Sequence, residues 1–315
     1  MSLDTIPETW EVAQRCADVP GSGPFLAVQD EGEGALCSLL GGSLPRAHLA
    51  DAPREAVEAL GDLVGRAMQM TGLNMNLAPT LDLPAVLPGA SGGARDVAPV
   101  PSAPLEVTHR ALAFVRGLTR HGVLPCARHF PAFAVGASER LQASPVVDRN
   151  MATLWREDLV PYRTLGNQLP VIQISHAVCK AYDYEFPRPA SLSPSVVEGL
   201  LRLKLAYKGV AVADVSKAAR SAGIGLAEAA VRALEAGCDL LMVPAEGKPV
   251  AAVLGALERA SEFGKLPRER VEQALARVQS AKQGLSVPPK KPGEREVSRL
   301  ADDFRKFWKQ HGRFD

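Results

Sequence analysis

The apolar runs of this chain do not alternate with polar residues, and that constrains the fold more than any other feature. Gly209–Asp214 reads Gly-Val-Ala-Val-Ala-Asp, and Val171–Ala177 and Leu240–Pro244 have the same character. A strand with one wet face alternates, whereas a strand covered on both faces reads as a continuous apolar run. Six segments qualify: Phe25–Gln29, Leu73–Leu83, Leu124–His129, Val171–Ala177, Gly209–Asp214 and Leu240–Pro244. Helical patterns separate them at Pro53–Met70, Leu105–Thr119, Met151–Leu165, Ser195–Lys204, Leu226–Ala236 and Pro249–Ala260. Buried strands separated by helices imply a parallel sheet covered by helices. In 315 residues, six or more such units favour an α/β fold of the TIM-type (β/α) barrel over an open sheet, although alternation alone permits both.

Local signals agree with this order. Ser193-Pro194 sets a capping side chain and a first-turn proline ahead of Ser195–Lys204, and Gly237 stops the helix that ends at Ala236. Beyond Ser286 the composition shifts to Val287-Pro-Pro-Lys-Lys-Pro-Gly293. We expect a barrel over residues 1–286, then a linker and a docking helix within 287–315. Leu300, Phe304 and Trp308 share one face of that helix, which runs from Arg295 to His311.

The charge balance excludes some partners. A net charge of +1 gives no general attraction to nucleic acid or anionic membrane. No apolar run approaches the ~20 residues of a membrane span. The five cysteines are odd in number, widely spaced and set in apolar runs, as befits reduced, buried side chains. With no signal peptide visible at Met1-Ser-Leu-Asp-Thr5, a cytoplasmic location is expected.

In a parallel barrel the ligand site gathers where the C-terminal ends of the strands meet. Those ends carry Asp82, then Arg128 and His129, then His176, then Asp214. Each has a structural alternative. Asp82 could cap a turn before Pro84, the histidines could bond core backbone, and Asp214 could cap the helix beginning near Ser216. No metal is expected, because no H-x-x-x-H or H-E-x-x-H helix is present. Nor is a cofactor, because no glycine-rich phosphate loop follows a strand.

The segments, in order, resemble the N-terminal domain of glycoside hydrolase family 3, in its single-domain β-N-acetylglucosaminidase branch. Phe25-Leu-Ala-Val-Gln-Asp-Glu-Gly32 is similar to the family's I-A-V-D-Q-E-G-G strand, and Gly72-Leu-Asn-Met-Asn-Leu-Ala-Pro-Thr-Leu-Asp82 to its G-I-N-x-N-x-A-P-V-L-D. Arg128-His-Phe-Pro131 stands where the family has K-H-F-P. Further matches are Pro145–Arg149, Glu157–Arg163, Ser175-His176, Pro189–Pro194, Gly209–Asp214 and Glu235–Asp239. The resemblance implies a retaining glycosidase, in which one carboxylate attacks the anomeric carbon and a second group protonates the leaving oxygen. On that pattern Asp214 holds the nucleophile position, and Asp82, Arg128, His129 and His176 hold sugar-binding positions. Arg128 replaces a lysine, which keeps the charge and changes its reach.

The departures set the functional expectation. In this branch the acid/base is a histidine paired with an aspartate, in the loop after K-H-F-P-G-H-G. Here Ala132-Phe-Ala134 replaces G-H-G, Leu141 falls at the histidine and Glu139 near the aspartate. Arg95 is the substitute for the arginine of an earlier loop. About 24 residues, helical in pattern, precede Phe25 where the family has a further strand, so the barrel is expected to be incomplete or closed differently there. We therefore expect lost or strongly reduced hydrolysis, with a glycan, a muropeptide-type ligand or a protein partner still bound. The alternative is an active exo-β-N-acetylglucosaminidase with Asp214 as nucleophile and Glu139 as acid/base.

Overall fold

The structure is a computed structural model and describes residues 5–17, 23–42, 52–83, 103–133, 145–245, 247–283, 285 and 290–311. Its helices in chain order are α1 (Thr5–Ala17), α2 (Ala35–Leu39), α3 (Arg54–Thr71), α4 (Pro104–Thr119), α5 (Met151–Arg156), α6 (Val160–Leu165) and α7 (Ser195–Lys204). Then follow α8 (Val215–Ala222), α9 (Leu226–Glu235), α10 (Gly247–Glu262), α11 (Arg268–Lys282) and α12 (Glu294–His311). The strands are β1 (Ala27–Val28), β2 (Met75–Asn76), β3 (Leu124–Phe130), β4 (Val146–Val147), β5 (Val171–Ile174), β6 (Val178–Cys179), β7 (Val210–Asp214) and β8 (Leu240–Met242). The chain divides into two compact units, and the division falls inside β3, between Ala127 and Arg128.

In the first unit β1, β2 and the start of β3 run parallel, with Ala27 opposite Met75 and Met75 opposite Leu124. The stripe Val57, Leu60, Val64 and Met68 on α3 is buried with Leu36, Leu40, Phe114 and Leu118. Leu300, Phe304 and Trp308 of α12 join the same core. Helices α3 and α4 touch backbone to backbone: a Cβ on Gly61 would lie 2.3 Å from the Phe114 carbonyl oxygen, and one on Gly117 2.2 Å from that of Glu58. Only glycine fits at such a crossing.

In the second unit β5, β7 and β8 run parallel, with Ile174 opposite Ala213 and Asp214 opposite Met242. A separate parallel pair joins β4 and β6. Ser193 caps α7 through its Oγ, which accepts the N–H of Val196 at 3.1 Å. That helix is wound as a π-helix, and the N–H of Leu205 donates to the Leu200 carbonyl five residues back at 2.9 Å.

Several expected bounds are corrected. The strand expected over Leu73–Leu83 is only Met75–Asn76, because Pro79 has no N–H to give and Thr80 turns its N–H and hydroxyl to Glu31, each at 2.7 Å. Phe25–Gln29 likewise shortens to Ala27–Val28. The single helix expected over Met151–Leu165 is two helices, broken at Glu157–Leu159, since Pro161 cannot donate to the carbonyl four residues earlier. Helix α11 was not expected: it buries Ala274 alone among its hydrophobic residues and so shows no apolar stripe.

Candidate functional site

Every site residue described here lies in the second unit, at the C-terminal ends of its strands. The N–H of Leu81 donates to the Arg128 carbonyl at 2.6 Å, and the N–H of Ser175 to the Phe130 carbonyl at 2.8 Å. These two bonds bring the chain leading to Asp82, the end of β3 and the end of β5 to one level. The parallel pairing of Ile174 with Ala213 brings the residues that follow them, Ser175 and Asp214, to the same strand end. Asp82, Arg128, His129, His176 and Asp214 therefore occupy one edge of the strands, as their sequence positions imply.

The tightest contact is between Asp82 and His129. Imidazole Nδ1 lies 2.7 Å from Asp82 Oδ2, and the backbone N–H of His129 donates to Oδ1 at 3.3 Å. Asp82 is thus no simple turn cap, and the His129 ring is not spent on backbone. The Arg128–His129 and Phe130–Pro131 peptides are cis. His176 is 8% exposed, and its ring stands edge-on to that of His129 with centroids 6.4 Å apart. Phe133 packs against both, its ring centroid 5.0 Å from each.

Asp214 caps α8, its Oδ1 accepting the N–H of Lys217 at 3.1 Å. The capping alternative is therefore realised, and it engages one oxygen of the carboxylate. Glu139, Leu141 and Arg95 lie outside the described residues.

Sequence reasoning missed Asp158 as a titratable neighbour. It is 4% exposed, pairs with Arg149 at 3.3 Å, and burial pushes its carboxyl up to about 6, Arg149 pulling the other way and Glu157 and Asp82 adding to the rise. Its only sequence signal is the match at Glu157–Arg163, which carries no information about burial. Burial pushes the Cys179 and Cys238 thiols up to about 12, which disfavours their thiolates. Among the described residues no group of three or more His, Cys, Asp or Glu side chains could hold a metal ion, and no helix is long and apolar enough to cross a membrane.

Comparisons with known proteins identify the family. The family model described as the glycosyl hydrolase family 3 N terminal domain matches residues 11–281. The β-hexosaminidase LpqI of Mycobacterium tuberculosis is 35% identical over 280 residues, which span 84% of this chain and 70% of that protein. A β-hexosaminidase of Pseudomonas aeruginosa is 31% identical over 260 residues, spanning 79% and 75%. The solved structure of M. tuberculosis LpqI matches with a TM-score of 0.77 at 30% identity, covering 93% of this chain and 86% of that one. A family 3 glycosyl hydrolase from Mycobacterium smegmatis matches with a TM-score of 0.75 at 28% identity, covering 91% and 86%. The fold class is accordingly α/β of the (β/α)-barrel type with C-terminal helices. The family model and the relatives agree: the chain belongs to the glycosyl hydrolase family 3 N-terminal domain family.

Proposed function

We propose that this chain is a β-hexosaminidase-type domain that still binds a sugar and has lost most or all of its hydrolysis. The observation that carries the reading is Phe133, whose ring packs 5.0 Å from both His129 and His176. It replaces the histidine of the family's G-H-G, and by resemblance Leu141, which transfers no proton, stands at the acid/base histidine further along. Retaining hydrolysis needs a nucleophile and a proton donor together. The binding half has support: Asp82 holds His129 through Nδ1, and Arg128 adds a cation at the same strand end. Asp214, in the nucleophile position, spends one oxygen as a helix cap. The natural ligand on this reading is a glycan ending in an N-acetylhexosamine. A reducing, cytoplasmic setting is in keeping with five cysteines that form no disulfide with one another.

The test pairs turnover with binding. Wild-type protein, Asp214→Ala and Glu139→Gln are incubated with an aryl β-N-acetylglucosaminide, and N-acetylglucosamine binding is measured by calorimetry. Loss of general acid/base catalysis removes about 10²–10⁴-fold in rate, so the expected result is turnover depressed by that factor relative to an active β-hexosaminidase, with sugar binding retained. Robust turnover abolished by both substitutions would overturn the reading in favour of an active enzyme using Glu139. Absence of sugar binding would overturn it in favour of a site that serves a protein partner.

A further inference from the structure

The second unit holds a cavity of about 330 Å³ at the opposite end of β5 from His176, between the end of α6 and the end of α7. Its inner wall is apolar or aromatic: Tyr162, Leu165, Ile172, Leu201 and Tyr207 line it, and none is more than 6% exposed. Arg163, Leu205 and Ala206 line it nearer the surface. Helix α7 is wound as a π-helix, and the chain leaves it through Ala206 at φ 53°, an uncommon conformation for a residue with a Cβ. Two cations meet beside this mouth. Arg163 sets its guanidinium over the Trp155 ring, 4.2 Å from the centroid, and donates to the Trp155 carbonyl at 3.1 Å. Lys204 sets its ammonium 4.3 Å from the same centroid. Among the described residues neither cation pairs with a carboxylate. Like charges gathered on one ring repel each other, and an anion at the mouth of the cavity relieves that repulsion.

We infer that this cavity binds a small aromatic carboxylate, its ring against Tyr162 and Tyr207 and its carboxylate at Arg163 and Lys204. Small-molecule sites begin at roughly 300 Å³, a size that suits one ring on a short tether. Aromatic pairs add to the gain from area burial alone, and a carboxylate accepts charge-assisted bonds from guanidinium and ammonium groups. A sugar would leave hydroxyls unpaired against Leu165, Ile172 and Leu201, at a cost in free energy. The cavity lies away from the strand ends that carry Asp82 and His129, so its occupancy does not depend on a bound sugar.

Calorimetric titration of the full chain with 3-phenylpropionate and with its neutral amide tests it. The acid is expected to bind about tenfold more tightly than the amide, the difference made by charge-assisted contacts. Arg163→Gln/Lys204→Gln exchanges two exposed cations and should bring the acid down to the level of the amide, with amide binding unchanged. Lys204→Arg should keep the preference for the acid. Leu205→Trp, which fills the mouth from a half-buried position, should abolish binding of both probes at an unchanged thermal midpoint. Equal binding of acid and amide by the wild type overturns the anion site. A preference for the acid that survives the double substitution also overturns it. Binding that survives Leu205→Trp puts the probe elsewhere and overturns the cavity, as does absence of binding by both probes.

Discussion

The β7–β8 pair carries an aspartate at each end, and the two are built in opposite ways. Asp239, at the N-terminal end of β8, is fully buried. Its Oδ2 accepts the N–H of Ala211 and an Arg202 nitrogen, and its Oδ1 accepts Arg270 at 3.1 Å and Arg277 at 2.9 Å. Asp214, at the C-terminal end of β7, is half-buried and accepts the backbone N–H of Lys217 on one oxygen. Every lone pair of the first is committed to holding elements together: α7, α11 and two strands meet on it. The second keeps capacity for something else. In a parallel barrel the bottom face stabilises and the top face binds, and here the distinction is written in the coordination of two carboxylates. Asp158 stands between these cases, since it is buried like Asp239 and has one ion-paired partner, Arg149.

The contrast can be broken by substitution. Asp239→Ala strands three guanidinium groups, of which Arg202 is deeply buried. Removing one partner of a buried pair costs about 3–5 kcal/mol, to be read from the urea midpoint. A cost below about 1 kcal/mol would show that the arginines find other acceptors and that the carboxylate is not the keystone.

Asp158 gives a pH signature of somewhat smaller size. Its carboxyl is raised from 3.8 to about 6, so it holds a proton more tightly in the folded chain than in the unfolded one. Its contribution to stability is therefore full below about pH 4 and lost as pH rises through about 6, amounting to roughly 3 kcal/mol at about 1.4 kcal/mol per pKa unit. Asp158→Asn should flatten that part of the stability profile between pH 4 and 7. Identical slopes for wild type and variant would mean that Arg149 neutralises the burial penalty.

Asp214 should show the smallest effect. Asp214→Ala loses the α8 cap and costs about 1 kcal/mol, whereas Asp214→Asn retains a capping oxygen and stays within about 0.5 kcal/mol. If only the charge matters to a ligand, both variants lose sugar affinity equally while differing in stability. Equal stability of the two would show that the cap carries little.

The order of strands and helices was legible because burial on both faces leaves a pattern that neighbouring residues record. The strand-end residues Asp82, Arg128, His129, His176 and Asp214 could be named for the same reason, each following directly on an apolar run. Strand length was less legible: Leu73–Leu83 was read as one strand, yet Pro79 has no N–H to give and the N–H of Thr80 bonds a side chain 49 residues away. Helix α11 escaped because it is tied down by arginines reaching Asp239, and such ties leave no periodicity. Asp158 was visible as part of a motif, but its burial was not.

What the sequence determined by itself is the succession of buried strands, the positions of the strand ends and the polar residues that stand on them, since these depend on local pattern. The tertiary structure alone decided which of those residues share a bond. Asp82 and His129 are 47 positions apart and meet at 2.7 Å, Phe133 settles between two histidines, and Asp239 gathers arginines from α7 and α11. The reason is physical: hydrogen bonds and ring contacts act over a few ångströms, and only packing brings residues so distant in the chain within that range.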